Sequence, residues 1–154
     1  MMQINYQKAR LSDIKSMQNL VAPEVESGVI LDRSDDEIAT NIRSYILAFD
    51  DNKLIGFSAL HIHSPSLAEI RSLIVKDSYR GKKIGEGLIA KHIIEAELLG
   101  LQKILSLTYK QSFFERLGFV EIPKESLPEH KIWADCIKCK HFPICNEVSL
   151  IKNL

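Results

Sequence analysis

The feature that most constrains this chain lies between Leu73 and Leu99. Leu73-Ile74-Val75 is continuously apolar, as expected of a strand end covered on both faces. From Gly85 to Leu99, the residues Leu88, Ile89, Ile93 and Ala96 recur at helical spacing, and Gly100 supplies the stop. Between strand and helix stands the short basic turn Arg80-Gly81-Lys82-Lys83-Ile84-Gly85. The first amides of a helix have no internal partners and carry the positive end of its dipole. Gly81 and Gly85 allow a ligand close to the backbone, and Arg80, Lys82 and Lys83 add charge. Such a turn is built to hold paired phosphates. The bland alternative is a helix start whose basic residues face solvent. The Walker pattern is absent, since no Gly-Lys-Ser/Thr follows. A dinucleotide fingerprint is disfavoured, because the preceding strand belongs to an antiparallel meander.

The remaining elements follow from periodicity and turn chemistry. Gln3 to Lys8 alternates as a first strand. Ser12 can cap a helix carrying Ile14, Met17, Leu20 and Val21, stopped near Pro23. Ser34-Asp35-Asp36-Glu37 is a capping box opening a second helix to about Arg43. Tyr45 to Phe49 and Leu54 to His61 form a hairpin around Asp50-Asp51-Asn52-Lys53, and Leu67 to Val75 adds a third strand. Lys103 to Tyr109 is a strand, Ser112 to Leu117 a short helix ended by Gly118, and Val120 to Ile122 a strand. The expected order is β-α-α-β-β-β-α-β-α-β followed by a tail.

The 154 residues suit one domain, taken as residues 1 to 154 with a cysteine-containing tail at about 123 to 154. Lys plus Arg and Asp plus Glu number 20 each, which argues against bulk nucleic-acid binding. No apolar run is long enough to span a bilayer, and the N-terminus shows no secretory signal. Three clustered cysteines make a poor disulfide framework, so a cytoplasmic location is expected.

The turn and its flanks resemble the GNAT superfamily of acyltransferases. Arg80-Gly81-Lys82-Lys83-Ile84-Gly85 looks like the family's pyrophosphate loop, and Leu73, Ile74 and Val75 like the strand that pairs with the pantetheine arm. Ser112 to Phe119 looks like the late helix ending in Gly-Phe, which places Phe114 beside the coenzyme. The resemblance covers residues 3 to 122. It implies an α/β fold of the α+β kind, a mixed and mostly antiparallel sheet flanked by helices, with acetyl-CoA as co-substrate. Lys83 stands where the family carries Gly, so a slightly altered loop path is expected.

Acetyl transfer needs a neutral amine, a held oxyanion and a protonated thiolate. Glu69 stands where many members carry a general base, and alternation places Glu69, Arg71 and Leu73 on one face. The usual Tyr acid is replaced by Phe114. Tyr109 is the nearest hydroxyl, with Thr108, Ser112 or a water as substitutes. The oxyanion donor is expected to be a backbone N–H near Ile74. His61 and His63 read as ordinary polar positions at the end of the middle strand. Arg33, Ser34, Arg71 and Ser72 are the expected acceptor residues, because an Arg fork matches a carboxylate. Arg33-Ser34, Glu69 to Leu73, Phe113-Phe114 and the tail Lys131 to Cys139 also resemble short, stand-alone N-acetylglutamate synthases. That implies glutamate as acceptor and a place in arginine biosynthesis. The alternatives are another amine, such as a polyamine, an antibiotic or a protein N-terminus, and a catalytically silent acetyl-CoA sensor. The expected partner is thus a small-molecule amine, with no nucleic acid and no membrane; a homodimer is left open. Cys136, Cys139 and Cys145 are weak candidates for a structural zinc, the alternative being a loop whose cysteines pack as small apolar residues.

Overall fold

The computed structural model describes residues 3–28, 30, 32–123, 126 and 147–154. Its elements in chain order are β1 (Ile4–Lys8), α1 (Ile14–Glu26), α2 (Asp35–Thr40), β2 (Tyr45–Asp50), β3 (Lys53–Ile62), β4 (Leu67–Val75), α3 (Ile84–Leu99), β5 (Lys103–Thr108), α4 (Gln111–Arg116), β6 (Val120–Ile122) and β7 (Val148–Asn153). The strands form one sheet in the order β1-β2-β3-β4-β5-β7-β6. Only β4 and β5 run parallel, and α3 makes the crossover between them. No described helix is long and apolar enough to cross a membrane.

Each face of the sheet has its own core. On one, Leu60, Ala68 and Ile70 meet Ile89 and Ala96 of α3 together with Phe114 and Phe119. On the other, Leu47, Phe57, Ala59 and Ile74 meet Met17 of α1 and Ile38 of α2. The seat of α3 on β1 requires glycine at Gly87, where a Cβ would fall 2.1 Å from the Tyr6 hydroxyl.

Several local expectations change. The helix expected to stop near Pro23 runs on to Glu26. Proline removes one amide, but Val21 and Val25 keep the same packed side, so burial outweighs the lost bond. Ser12 is not the cap; Asp13 takes the Arg10 amide at 2.8 Å. The capping box is half made. Ser34 accepts from the Glu37 amide at 3.2 Å, while the Glu37 carboxylate turns to Arg33 at 3.6 Å. The expected tail contains a strand, β7, which inserts between β5 and β6. Its residues pair on both edges, with Leu150 fully buried.

One buried polar pair crosses the α3 face. His92 is fully buried, and its Nε2 lies 2.7 Å from the Ser58 hydroxyl. Burial, helped by the Lys8 charge, pushes the imidazole down to about 3. An unfolded histidine takes its proton near 6.5. The unfolded state therefore binds more protons between those values, and stability rises with pH there. The contribution of His92 is complete above about pH 6.5 and is lost as pH falls toward 3. Chemical denaturation between pH 7 and 4.5 should show His92 costing up to about 1.4 kcal/mol per pH unit. His92→Leu should flatten that slope, and an unchanged slope would refute the assignment.

Candidate active site

The site begins with a fault in β4. Phe57 pairs with Ile74 and Ala59 with Arg71, so two residues of β3 span three of β4. The extra residue is accommodated at Ser72, whose φ is 55°. A non-glycine in that region is strained by about 1–2 kcal/mol. Because side chains alternate, one added residue reverses the pattern beyond it. Glu69, Arg71 and Ile74 face α1 and α2, whereas Leu73 and Val75 pack with the α3 side. Leu73 therefore does not share a face with Glu69 and Arg71, contrary to simple alternation.

β4 also parts from β5. The parallel pairing covers Leu67 to Ile70 against Lys103 to Ser106 and goes no further. The Lys76 amide bonds to the Ile55 carbonyl at 2.7 Å. By alternation Ile74 turns its backbone to β3 as well, and Leu73 and Val75 turn theirs into the gap. The open amide expected near Ile74 thus belongs to its neighbours. The Val75 carbonyl accepts from Arg80 Nε at 3.1 Å.

A cleft of about 410 Å³ occupies that gap. Leu73 and Val75 line one wall, Phe113 the other, and the turn before α3 the end. Gly81 and Lys83 both adopt positive φ, 77° and 65°. The first intrahelical bond is from Gly87 to the Lys83 carbonyl at 3.1 Å. The amides of Ile84, Gly85 and Glu86 thus leave the helix start without intrahelical partners. Lys83 takes the left-handed conformation that glycine adopts most easily, so the altered side chain is carried without closing the turn. Arg80 braces the turn through Asp77 at 2.9 Å and Glu24 of α1 at 3.3 Å. Lys82 instead lies 5.6 Å from the Tyr79 ring centre and does not line the cleft.

The sequence reading missed Lys110 and Arg116, which bring further positive charge to the cleft. Burial and then the Arg80 charge push the Lys110 ammonium below its usual range. Lys110, Phe113 and Arg116 are spaced by three, a signal that they share one side of α4. Phe114, expected beside the coenzyme, is only 2% exposed, and its ring packs 5.1 Å from those of Phe113 and Phe119. One residue of helical rotation separates core from cleft.

A second hollow, of about 210 Å³, opens on the opposite face. Met17, Val21 and Val25 of α1, Ile38 of α2, Tyr45 and Phe57 give it an apolar lining. Glu26, Asp32 and Arg33 bring charge to it, and Ser72 closes the β4 side. Burial pushes the Tyr45 phenol up, while the Arg33 and Arg71 charges pull it down. Arg33 lines this hollow and pairs with Glu37 at 3.6 Å. Ser34 does not line the hollow; its hydroxyl caps α2. Tyr109 is 40% exposed and lines neither space.

Glu69 is 6% exposed and already engaged. Its Oε1 accepts from His63 Nε2 at 2.8 Å and from Arg71 Nε at 3.1 Å. Burial alone would raise this carboxyl, but the His63 bond and the Arg71 charge outweigh it and hold it low. Arg71 thus serves Glu69, a role its sequence position did not show. Cys136, Cys139 and Cys145 lie outside the described residues. Among the described residues no cluster of three His, Cys, Asp or Glu is placed to hold a metal.

A mostly antiparallel sheet that opens beside one parallel pair, above a basic turn, defines an acyltransferase scaffold. Residues 41–121 match the family model described as "Acetyltransferase (GNAT) domain". An uncharacterised N-acetyltransferase of Chlorobaculum tepidum is 35% identical over 95% of this chain and 94% of its own. The chain belongs to the GNAT superfamily and is an N-acetyltransferase. An amino-acid acetyltransferase of an Enterobacter species is 28% identical over 80% of this chain, which spans only 28% of that protein's length. The N-acetylglutamate synthase of Neisseria gonorrhoeae, solved with coenzyme A and N-acetyl-glutamate, superposes with a TM-score of 0.88. At 24% identity, over 99% of this chain and 35% of that one, the likeness is one of fold.

The backbone at Lys83 gives a direct test. Lys83→Gly should hold or raise stability by up to about 1 kcal/mol by relieving the left-handed strain. Lys83→Val should lower it by about 1–2 kcal/mol in thermal denaturation. Equal stability of the two variants would exclude strain at this position.

Proposed function

We propose that the chain transfers the acetyl group of acetyl-CoA to the α-amine of L-glutamate within a ternary complex. The observation that carries this reading is that consecutive residues open on different spaces: Leu73 lines the basic cleft and Ser72 the second hollow. A thioester threaded along β4 would meet an amine there. The coenzyme's pyrophosphate takes the amides of Ile84, Gly85 and Glu86 beside Lys83, in a turn that Arg80 braces. The pantetheine arm pairs with the open backbone of Leu73 and Val75, and the Leu73 N–H receives the developing oxyanion. Arg33 receives a carboxylate of the acceptor. Removal of the ammonium proton depends on Glu69. With Tyr109 outside the cleft, the departing thiolate takes a proton from the attacking nitrogen, directly or through water.

The amino-acid acetyltransferases among the relatives and the acetylated glutamate held by the Neisseria enzyme support an amino-acid acceptor. A second reading has its own support. The hollow is mainly apolar, and its charged groups are Arg33 with Glu26 and Asp32, a set matched to one carboxylate and one ammonium. That favours an α-amino acid with an apolar side chain.

Thiol release from acetyl-CoA across the twenty amino acids and a polyamine series decides between them. Glutamate should turn over fastest. Faster turnover of leucine or methionine would install the second reading, and turnover of polyamines alone would reject both. Coenzyme binding with no thiol release from any amine would leave only a sensor. Arg33→Gln should raise the acceptor KM about tenfold or more, for one lost charge-assisted bond, with the acetyl-CoA KM within about twofold. Glu69→Gln should lower kcat about a hundredfold or more; an unchanged kcat would remove Glu69 from the mechanism.

A further inference from the structure

His63 was read from the sequence as an ordinary polar residue; its surroundings say otherwise. Its side chain is fully buried at the end of β3, and its Nε2 meets Glu69 Oε1 at 2.8 Å. The same oxygen takes Arg71 Nε at 3.1 Å. An ionised carboxylate only accepts, so the imidazole donates from Nε2, and in its neutral form the lone pair is on Nδ1. That Nδ1 is buried and has no hydrogen-bond partner among the described residues. A buried acceptor left in this state marks a place for a water or a ligand atom.

Resting on the acetyl-transfer reading above, we propose that His63 is the group that receives the amine's proton, at Nδ1, and that Glu69 orients it. Proton removal then depends on Glu69 without Glu69 taking the proton. Two donors on one oxygen make Glu69 a poor base, but they suit it to fix a tautomer and to stabilise an imidazolium. The pair also lies on the proper face. Glu69 pairs with His61 in the sheet, and Arg71 adjoins Ser72, which lines the acceptor hollow. The titratable and charged groups around His63 on the described elements are His61 on its own strand, with ring centres 4.8 Å apart, and Glu69 and Arg71 on β4. Tyr45 of β2, with Arg33 and Glu37 beside α2, forms the next group along the same face.

The other buried imidazole provides a contrast. His92 also has an unpartnered Nδ1, but its Nε2 meets a hydroxyl, and it lies under α3 on the opposite face. No carboxylate orients it, and α3 packs on the face of the sheet away from Glu69 and Arg71.

The step balances. The acceptor ammonium passes one proton through a bound water to His63 Nδ1, leaving a neutral amine and an imidazolium held by Glu69. The amine nitrogen bonds to the thioester carbon, the carbon–sulfur bond breaks, and the sulfur leaves with the electron pair. The thiolate takes the second proton from nitrogen. The imidazolium returns its proton to solvent, so one proton is released for each amide and thiol formed.

Two measurements test this. Long-range proton–nitrogen NMR on the imidazole-labelled protein should show neutral His63 protonated at Nε2 and bare at Nδ1. The reverse tautomer overturns the proposal, whatever the acceptor. For activity, His63→Gln keeps an N–H that can reach Glu69 but cannot accept a proton. Its kcat should fall about a hundredfold or more, with the acetyl-CoA Kd unchanged and proving a folded protein. Its rate should climb steadily with pH up to the amine's own pKa, without the wild-type plateau. Partial restoration of the rate in His63→Gly by added imidazole would support the role. A His63→Gln variant with wild-type kcat and pH profile would reduce His63 to a brace for Glu69 and overturn the proposal. Wild-type protein that releases no thiol with any amine fails differently: it sinks the transfer reading itself.

Discussion

The bulge at Ser72 is the constraint on which the other features of the site depend. β4 must stay hydrogen-bonded to β3 along one edge while releasing β5 on the other. One additional residue accomplishes both, because it turns the strand and reverses which side chains face which core. Before the bulge, Ala68 and Ile70 belong to the α3 core; after it, Leu73 and Val75 do. Glu69 and Arg71 are left on the α1–α2 face with the two histidines. The strained φ of Ser72 persists because the ladder on the β3 side and the two cores together over-determine it.

From that fault the two hollows acquire different physics. The cleft between β4 and α4 is open and basic, with helix-start amides at one end. Its positive side chains are spread over the turn and the two ends of α4, an arrangement suited to paired phosphates. Arg80 does not reach freely into this space. It ties the turn to α1 through Glu24, and α1 in turn walls the second hollow. The second hollow is smaller and mainly apolar, so the few charges at its rim act at low dielectric and would decide the orientation of an occupant more than its affinity.

Much of the scaffold was legible in the sequence. The turn from Arg80 to Gly85, the helical spacing of Leu88, Ile89 and Ala96 in α3, its Gly100 stop and the β2–β3 hairpin all rest on local rules, and each is where those rules place it. The two structured stretches that broke local rules did so for tertiary reasons. α1 passes through Pro23 because its apolar side continues, and β7 is ordered by pairing on both edges, which its own six residues cannot announce. Phe113 and Phe114 differ by one step of helical rotation, which a motif match does not resolve.

The sequence by itself pointed to the class of the protein, because the turn from Arg80 to Gly85, the strand end before it and the late Gly-Phe helix are short runs of consecutive residues whose resemblance to the GNAT superfamily can be read locally. It also marked Arg33 and Glu69 as residues worth following. Only the tertiary structure decided what those residues do. The partners of Glu69 come from His63 six residues before it and Arg71 two residues after it, brought onto one oxygen by the β3–β4 register. The open amides at Leu73 and Val75 exist because β5 departs, and the second hollow exists because α1 and α2 stand off the sheet. Strand register, helix rotation and the separation of two strands are relations between distant segments. No local pattern of residues encodes them, because their energy arises only when the segments meet.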